Sequence, residues 1–323
     1  MAFSCGNILL SNIRPYLKKV WKATFNGGCS SDVFVLQANS NIDADYLHYV
    51  VANDKFIGFV MNGAKGVKMP RGDKNQMKTY SLSLPSIKEQ RKISRFLSFL
   101  DERIAVQNRL IDRLQSLMIG LNNSLYEQYG NDITTSFMEL GYSYSGLSGK
   151  SAKDFGSGKP FITYLNVYSN IIVDETDYQY VRINDGEKQN IVRTGDVLFT
   201  LSSETPEEVG IGSVYLGEKE VYLNSFCFGI HIERNQLAYS PYLSYYVTST
   251  AFRKFIYPFA QGSTRFNLCK ADFEKASIKL PSLDNQKRIS AMLDCIAEKI
   301  QAEKAILEYY NIQRQYLLRQ MFI

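Results

Sequence analysis

The sequence predicts an α/β (α+β) fold in which two mixed modules alternate with two long helices that pair as an antiparallel coiled coil. Three observations carry this prediction. First, Leu84-Pro85-Ser86-Ile87-Lys88-Glu89-Gln90-Arg91-Lys92-Ile93-Ser94 returns 196 residues later as Leu280-Pro281-Ser282-Leu283-Asp284-Asn285-Gln286-Lys287-Arg288-Ile289-Ser290. Second, each copy opens a segment whose apolar residues alternate at spacings of four and three, a heptad seam. Third, each is preceded by short β-branched and aromatic runs bounded by Gly, Asn and Asp. A period this long marks a duplicated domain-plus-helix module rather than a solenoid.

The elements follow in order. Strands are predicted at Ile8–Leu10 and Val33–Leu36, then a helix from Ala44 or Asp45 to Met61 and a polar, basic loop over Gly63–Lys74. Pro85 precedes the first long helix, Ser86 is its N-cap candidate, and Glu89 completes a capping box. Its seam runs Ile93, Leu97, Leu100, Ile104, Gln107, Ile111, Leu114, Met118, Leu121, Leu125. In the second module strands are predicted at Phe161–Tyr164, Ile191–Leu201, Gly212–Leu216 and Phe226–Ile232. A helix follows over Pro241–Tyr257 with Ser240 as N-cap, then a loop over Gln261–Lys270. The second long helix, with Pro281 and Ser282 before it, repeats the seam as Ile289, Leu293, Ile296, Ile300, Glu303, Leu307, Tyr310, Arg314, Leu317 and Met321. The polar interruption recurs at the same place, as Gln107 and Glu303.

At about 1.5 Å per residue, each forty-residue helix is roughly 60 Å long. A narrow stripe on so long a helix needs another long helix to cover it. The other copy is the first candidate, and an antiparallel pair would place the modules at opposite ends of a rod. A parallel pair, or pairing with another chain's helices, would cover the stripe too. The seam residues assigned to pairing are Leu97, Leu100, Ile104, Leu293, Ile296 and Ile300.

The repeat extends upstream. Tyr46-Leu47-His48-Tyr49-Val50 matches Tyr242-Leu243-Ser244-Tyr245-Tyr246, and Gly6-Asn7-Ile8-Leu9-Leu10-Ser11 matches Gly195-Asp196-Val197-Leu198-Phe199-Thr200 at an offset of 189. The second copy therefore carries about seven extra residues, most simply within Ser202–Gly212. It also has about sixty residues before Gly195, where the first copy has five before Gly6. The expected organisation is a partial first module (1–83), a first spacer helix (84–130), a full second module (131–279) and a second spacer helix (280–323).

Composition excludes several classes. The chain has 323 residues, is 45% hydrophobic and 21% charged, and carries a net charge of +5, with a pI of about 8.7. That is a mild lean toward polyanions, and an ordinary basic protein would show it too. Five scattered cysteines without a C-x-x-C pair point to reduced thiols in a cytoplasmic protein rather than a disulfide frame or a metal site. No signal-peptide pattern and no membrane-length apolar run occurs. His48 and His231 read as satisfied structural histidines, remote from any cysteine or carboxylate cluster. No Walker lysine motif and no G-x-S-x-G is present. The pattern is that of a chain that positions while another reacts.

The two loops remain as candidate binding elements. Glycines let a backbone approach phosphate, Lys and Arg neutralise it, and Arg or Asn can read base edges. The candidates are Lys65, Lys68, Arg71 and Lys74 in the first loop and Arg265, Asn267 and Lys270 in the second. Of these, Lys68, Arg71 and Arg265 are assigned to bases and the rest to phosphate. Solvated surface loops whose glycines only make turns would look the same.

Taken together, the twin Leu-Pro-Ser-x-x-x-Gln-x-x-Ile-Ser motifs, Gly6–Pro15, Gly195–Thr200 and Gly63–Asp73 make the whole chain resemble the specificity (S) subunit of type I restriction-modification enzymes, with an N-terminally truncated first target recognition domain. The resemblance implies two target recognition domains, each reading half of a bipartite site on double-stranded DNA, and paired helices that fix the gap. It implies docking of two methyltransferase (M) subunits and joining of restriction (R) subunits. S-adenosylmethionine would sit on the M subunits, leaving this subunit without cofactor or active site. The truncated first domain leaves three expectations open: that the first module reads no half-site, that it borrows its missing strands from another chain (a second copy of this one among the candidates), or that the sequence is the product of truncation, cassette rearrangement or fragment expression. In each case the second module is expected to bind DNA more competently. A coiled-coil protein-interaction adaptor without DNA binding is the alternative from another class.

Overall fold

Each long helix is tied to the module before it by a buried glutamine, which explains why the opening motif is stated twice. In the computed structural model, which describes residues 1–322, Gln90 and Gln286 are almost wholly buried. Gln90 Oε1 accepts from the Asp43 N–H at 2.8 Å, and its amide nitrogen donates to the carbonyls of Asn41 (3.0 Å) and Pro85 (2.9 Å). One repeat later, Gln286 accepts from the Tyr239 N–H and donates to the carbonyls of Leu237 and Pro281, each at 2.8 Å. A primary amide offers donors and an acceptor together, so one side chain satisfies three backbone groups that burial would otherwise strand.

The chain divides into two compact units: residues up to Asp112 together with those from Gln301 onward, and Arg113–Ile300. The first unit begins with β1 (Ala2–Phe3), β2 (Ile8–Ser11), β3 (Val20–Lys22), β4 (Gly27–Gly28) and β5 (Val33–Leu36). Helices α1 (Ala44–Ala52), α2 (Asp54–Asn62) and α3 (Lys74–Lys78) follow, then the long α4 (Ile87–Tyr129). Its antiparallel sheet has the order β3-β2-β5, beside a small β1-β4 ladder. Ile8, Leu10, Val51, Phe56, Ile57 and Val60 form the core between sheet and helices.

The second unit contains β6 (Ile133–Thr135), α5 (Phe137–Leu140), β7 (Gly141–Ser145), β8 (Phe155–Ile162), α6 (Tyr164–Ser169) and β9 (Tyr178–Val181). Next come β10 (Val197–Thr200), β11 (Ser202–Ser203), β12 (Gly212–Val214), β13 (Tyr222–Leu223) and β14 (Cys227–Ile232). The remainder is α7 (Ser240–Tyr246), α8 (Thr250–Ile256), β15 (Ala260–Gln261), β16 (Phe266–Leu268), α9 (Lys270–Lys275), β17 (Ile278–Leu280) and the long α10 (Leu283–Met321). Its largest sheet, β12-β10-β14-β7, packs through Val197, Phe199, Phe228 and Ile230 onto Tyr242, Tyr246, Phe252 and Phe273. The other face of that sheet helps form a separate core of Tyr144, Ile162, Val167, Leu198 and Cys227.

Within the first unit α4 and α10 run antiparallel: Asp101 pairs with Arg314, Arg103 with Tyr310 and Gln107 with Glu303. Leu97 and Leu100 are buried there and Ile104 is half-buried; in the second unit Leu293 and Ile300 are buried and Ile296 is half-buried. Ser86 accepts from the Glu89 N–H at 3.3 Å, as an N-cap does.

Several expectations need correction. The helix expected from Ala44 to Met61 is two helices, and so is the one expected over Pro241–Tyr257. The breaks fall at equivalent residues, Asn53 and Ser249, which cap α2 and α8 by accepting from Lys55 (2.8 Å) and Phe252 (3.1 Å). Both are buried polar residues whose side chains bond backbone and so favour caps over helix interiors. Ser240 is the first residue of α7 rather than its cap, and its hydroxyl donates to the Gly195 carbonyl at 2.8 Å. The strand expected over Ile191–Leu201 is limited to Val197–Thr200. His231 is not remote from carboxylates: its Nδ1 lies 2.7 Å from Asp196 Oδ1, and Tyr144 donates to the other oxygen at 2.7 Å. His48 is not satisfied at Nδ1, which is buried without a hydrogen-bond partner. Burial pushes its pKa down.

Candidate nucleic-acid interface

The two basic loops are built on the same β-hairpin, a point the sequence did not disclose for either. In the first unit, Lys65 and Arg71 exchange both backbone hydrogen bonds at 2.9 Å, and Arg71 also bridges to Ile13. In the second unit, Gln261 pairs with Asn267 in the β15–β16 hairpin, and Asn267 pairs with Ser202 of β11. Positions 65, 71 and 13 are the repeat equivalents of 261, 267 and 202, at the offsets of 196 and 189 seen in the sequence. The segment predicted as a loop over Gln261–Lys270 is therefore strand, tip, strand and the start of α9. Gly66 (φ +96°) and Gly262 (φ +145°) begin the two tips in a backbone conformation that L side chains rarely adopt.

In the first hairpin the tip residues Val67, Lys68 and Met69 are exposed. Lys65 is held 3.8 Å from Asp73, and Arg71 lies 3.1 Å from Asp32, both at the surface. Asp73 caps α3 by accepting from Asn75 and Gln76, and those backbone bonds hold its carboxyl below the usual range. Lys74, the first residue of α3, lines a cavity beside β5.

The second hairpin presents Arg265 and Asn267 to solvent. Lys270 differs: its ammonium sits 3.6 Å from Glu274 and 5.0 Å over the Phe228 ring. Behind the hairpin, Tyr164 donates to the Ser202 carbonyl at 2.9 Å and stacks on Tyr168. Burial raises the Tyr164 pKa, and the Arg265 charge acts on the same hydroxyl in the opposite sense.

Sequence reading missed the carboxylate on this flank. The extra residues of the second copy carry Glu208, whose Oε2 accepts from Ser203 Oγ at 3.0 Å. Hydrogen bonds from Tyr168 and Ser203 hold its carboxyl below the usual range. Arg253 of α8 fixes that insertion, donating to the carbonyls of Glu207 (2.6 Å), Val209 (2.7 Å) and Gly210 (2.9 Å). The available signal was the seven-residue offset itself. The site thus offers guanidinium and amide donors, a fixed carboxylate acceptor and tyrosine faces, a set able to address both phosphates and base edges. Among the described residues, no group of His, Cys, Asp and Glu is arranged to hold a metal ion, and no helix is long and apolar enough to cross a membrane.

Known proteins match this chain in family and in fold. A family model described as "Type I restriction modification DNA specificity domain" matches residues 8–116 and 147–309. The EcoDI specificity subunit of Escherichia coli is 29% identical over 119 residues, which are 36% of this chain and 26% of that protein. The MjaVIII specificity subunit of Methanocaldococcus jannaschii is 22% identical over 312 residues, covering 88% of this chain and 72% of that protein. The matched part thus spans only about a quarter of the E. coli relative. Among solved structures, a chain from a study of complex assembly and conformational transition in a type I R-M system aligns with a TM-score of 0.65 at 20% identity. That alignment covers 99% of this chain and 82% of that one. The S subunit of a type I system from M. genitalium aligns at 0.56 and 16% identity, covering 99% and 83%. At these identities the likeness speaks to the fold.

Proposed function

The chain belongs to the type I restriction-modification DNA specificity family, and from that premise we propose that it is the sequence-recognition and scaffold subunit of such a complex. It reads a bipartite site on double-stranded DNA, one half through each hairpin. The observation that carries this reading is the recurrence of one hairpin, glycine-started and bearing exposed Lys68 or Arg265, at equivalent places in both units. Catalysis is assigned to partners: S-adenosylmethionine chemistry to two M subunits, cleavage to R subunits.

The long helices are the natural docking surface for the M subunits. In the first unit α4 exposes Phe96, Phe99 and Val106, and α10 exposes Tyr309, Ile312 and Tyr316. Phe99, Arg103, Val106 and Tyr310 line an open cavity of about 600 Å³. Exposed apolar surface of this extent on a helix pair is characteristic of a protein interface.

The test is methylation-site sequencing of DNA from cells carrying this subunit with its M partner, alongside duplex binding by the purified complex at several salt concentrations. Methylation at one bipartite sequence, changed or lost in Lys68→Ala or Arg265→Ala, is the expected result. Methylation indifferent to both substitutions, or no salt-sensitive duplex binding, would overturn the reading in favour of an adaptor.

A further inference from the structure

One position beside the two hairpins carries opposite chemistry in the two copies. In the second unit Ser203 of β11 lies opposite Phe266 of the hairpin, next to the pairing of Ser202 with Asn267. In the first unit Ile13 bridges to Arg71, and the Arg14 N–H donates to the Pro70 carbonyl at 2.8 Å. Arg14 is therefore the counterpart of Ser203, at the offset of 189 that also relates Gly6 to Gly195. Each is followed by a short 3-10 turn opened by a proline, Pro15–Leu17 in one copy and Pro206–Glu208 in the other. The chain between the flanking strands is longer in the second copy, 201–211 against 12–19. Its turn ends on Glu208, whose carboxylate accepts from the Ser203 hydroxyl at 3.0 Å. The turn in the first copy ends on Leu17 instead.

The first unit thus holds a guanidinium where the second holds a carboxylate. Arg14 is half-buried, and its Nε is enclosed without a hydrogen-bond partner, a donor that is costly to leave unmade. Nearby Arg71, Lys65 and Lys18 lie beside Asp32, Asp73 and Asp54, whereas no carboxylate pairs with Arg14 among the described residues. The Arg14 backbone is left-handed (φ +52°, ψ +61°), a conformation that residues other than glycine rarely adopt and that clusters at ligand-binding sites. Glu208 is the opposite case. It is half-exposed, and hydrogen bonds from Tyr168, Ser203 and Thr205 hold its carboxyl below the usual range. A carboxylate has about four lone-pair sites, so those bonds leave room for one more donor.

We propose that Arg14 and Glu208 are specificity-determining residues of opposite sense: Arg14 demands guanine at one position of the half-site read by the first unit, and Glu208 demands cytosine at one position of the other half-site. The proposal rests on the recognition reading and names bases that reading leaves open. In the major groove guanine shows two acceptors, O6 and N7, which match the fork of a guanidinium. A carboxylate can only accept. Guanine and thymine offer it no major-groove donor, and the adenine amine stands beside the N7 acceptor, which repels it. The cytosine N4 amine is a donor without that neighbour. The two half-sites therefore differ in sequence although the hairpins beside them repeat.

The experiment is methylation-site sequencing of DNA from cells carrying the full chain with its M partner, as Arg14→Gln, as Glu208→Gln and unsubstituted. A glutamine amide pairs with N6 and N7 of adenine. Arg14→Gln should relax a required guanine by about tenfold or more, and Glu208→Gln a required cytosine in the other half-site, with adenine gaining at both positions. Arg14→Lys keeps the charge without the fork, and Glu208→Asp keeps it with a shorter reach. Both should weaken the same two positions, and they decide the outcome where a glutamine variant fails to fold. A motif that none of the four variants changes, or changes confined to one half-site or to other bases, overturns the proposal. Methylation weakened equally at every sequence, with native melting, also overturns it by making the contacts phosphate contacts. An unsubstituted chain that yields no bipartite motif overturns the recognition reading itself, so the two failures are distinguishable.

Discussion

Gln107 and Glu303 hold the same place in two copies of one helix, and they meet. The Gln107 amide donates to the Glu303 carbonyl at 2.9 Å and also to its carboxylate, with both residues buried. Repeat-related residues on two helices touch each other when those helices run antiparallel about a local two-fold. Asp101 with Arg314 and Arg103 with Tyr310 extend the same register. A polar pair within an apolar seam lowers stability but penalises shifted registers, because any slip would bury each polar group against aliphatic side chains.

Replacing Gln107 and Glu303 together by leucine should therefore cost less stability in urea unfolding than removing the amide alone. Gln107→Leu alone should destabilise by about 1–3 kcal/mol, because the buried Glu303 loses its amide donor. The double variant should also loosen the register. A broader distance distribution between spin labels on α4 and α10 would report this.

Gln286→Met should destabilise the second unit by about 2–4 kcal/mol, since one substitution strands the Tyr239 N–H and the carbonyls of Leu237 and Pro281. Gln90→Met should act alike on the first unit. Gln301→Met, on the exposed face of α10, serves as the control and should leave the urea midpoint unchanged.

These glutamines show what the sequence disclosed and what it withheld. The repeated motif and the heptad seams were legible because they are periodic over long stretches. Strand Val33–Leu36 was legible because its apolar run is bounded by polar turns. The role of Gln90 was not, because its backbone partners Asn41 and Asp43 lie almost fifty residues away. Asn53 and Ser249 looked compatible with one helix, and only the fold decided that each caps a second. At the candidate site the basic residues were visible as composition. The hairpin pairing of Lys65 with Arg71, the inward turn of Lys270 and the clamp of Arg253 on the Glu208 insertion depend on contacts that no local pattern encodes.

The Lys150–Glu187 pair gives a pH signature. Lys150 is nearly buried, and its ammonium donates to Glu187 at 2.6 Å. With help from the Asn184 N–H and Gln189, it holds the Glu187 carboxyl down at about 2 against an ordinary 4.5. Because the folded value lies below the unfolded one, the stabilisation is present above about 4.5 and is lost as pH falls toward 2. The urea midpoint of the native chain should decline more steeply across that window than that of Glu187→Gln. Parallel profiles would show that the pair contributes nothing.

The two hairpins should respond unequally to the same change. A Cβ on Gly262 would lie 2.1 Å from the Arg265 carbonyl oxygen, whereas one on Gly66 would lie 3.3 Å from that of Met69. Gly262→Ala should therefore displace Arg265 and weaken discrimination between specific and random duplexes. Gly66→Ala, strained by its φ of +96° but with more room around the added Cβ, should do so less. Arg265→Ala should reduce discrimination by about 1–3 kcal/mol. Lys68→Ala should lower the salt slope of binding by about one unit if Lys68 meets a phosphate, or relax sequence preference if it meets a base. Lys270→Ala should leave the slope unchanged, because its charge is already engaged by Glu274 and the Phe228 ring. A slope that drops in Lys270→Ala would show that the ammonium leaves those partners to reach DNA.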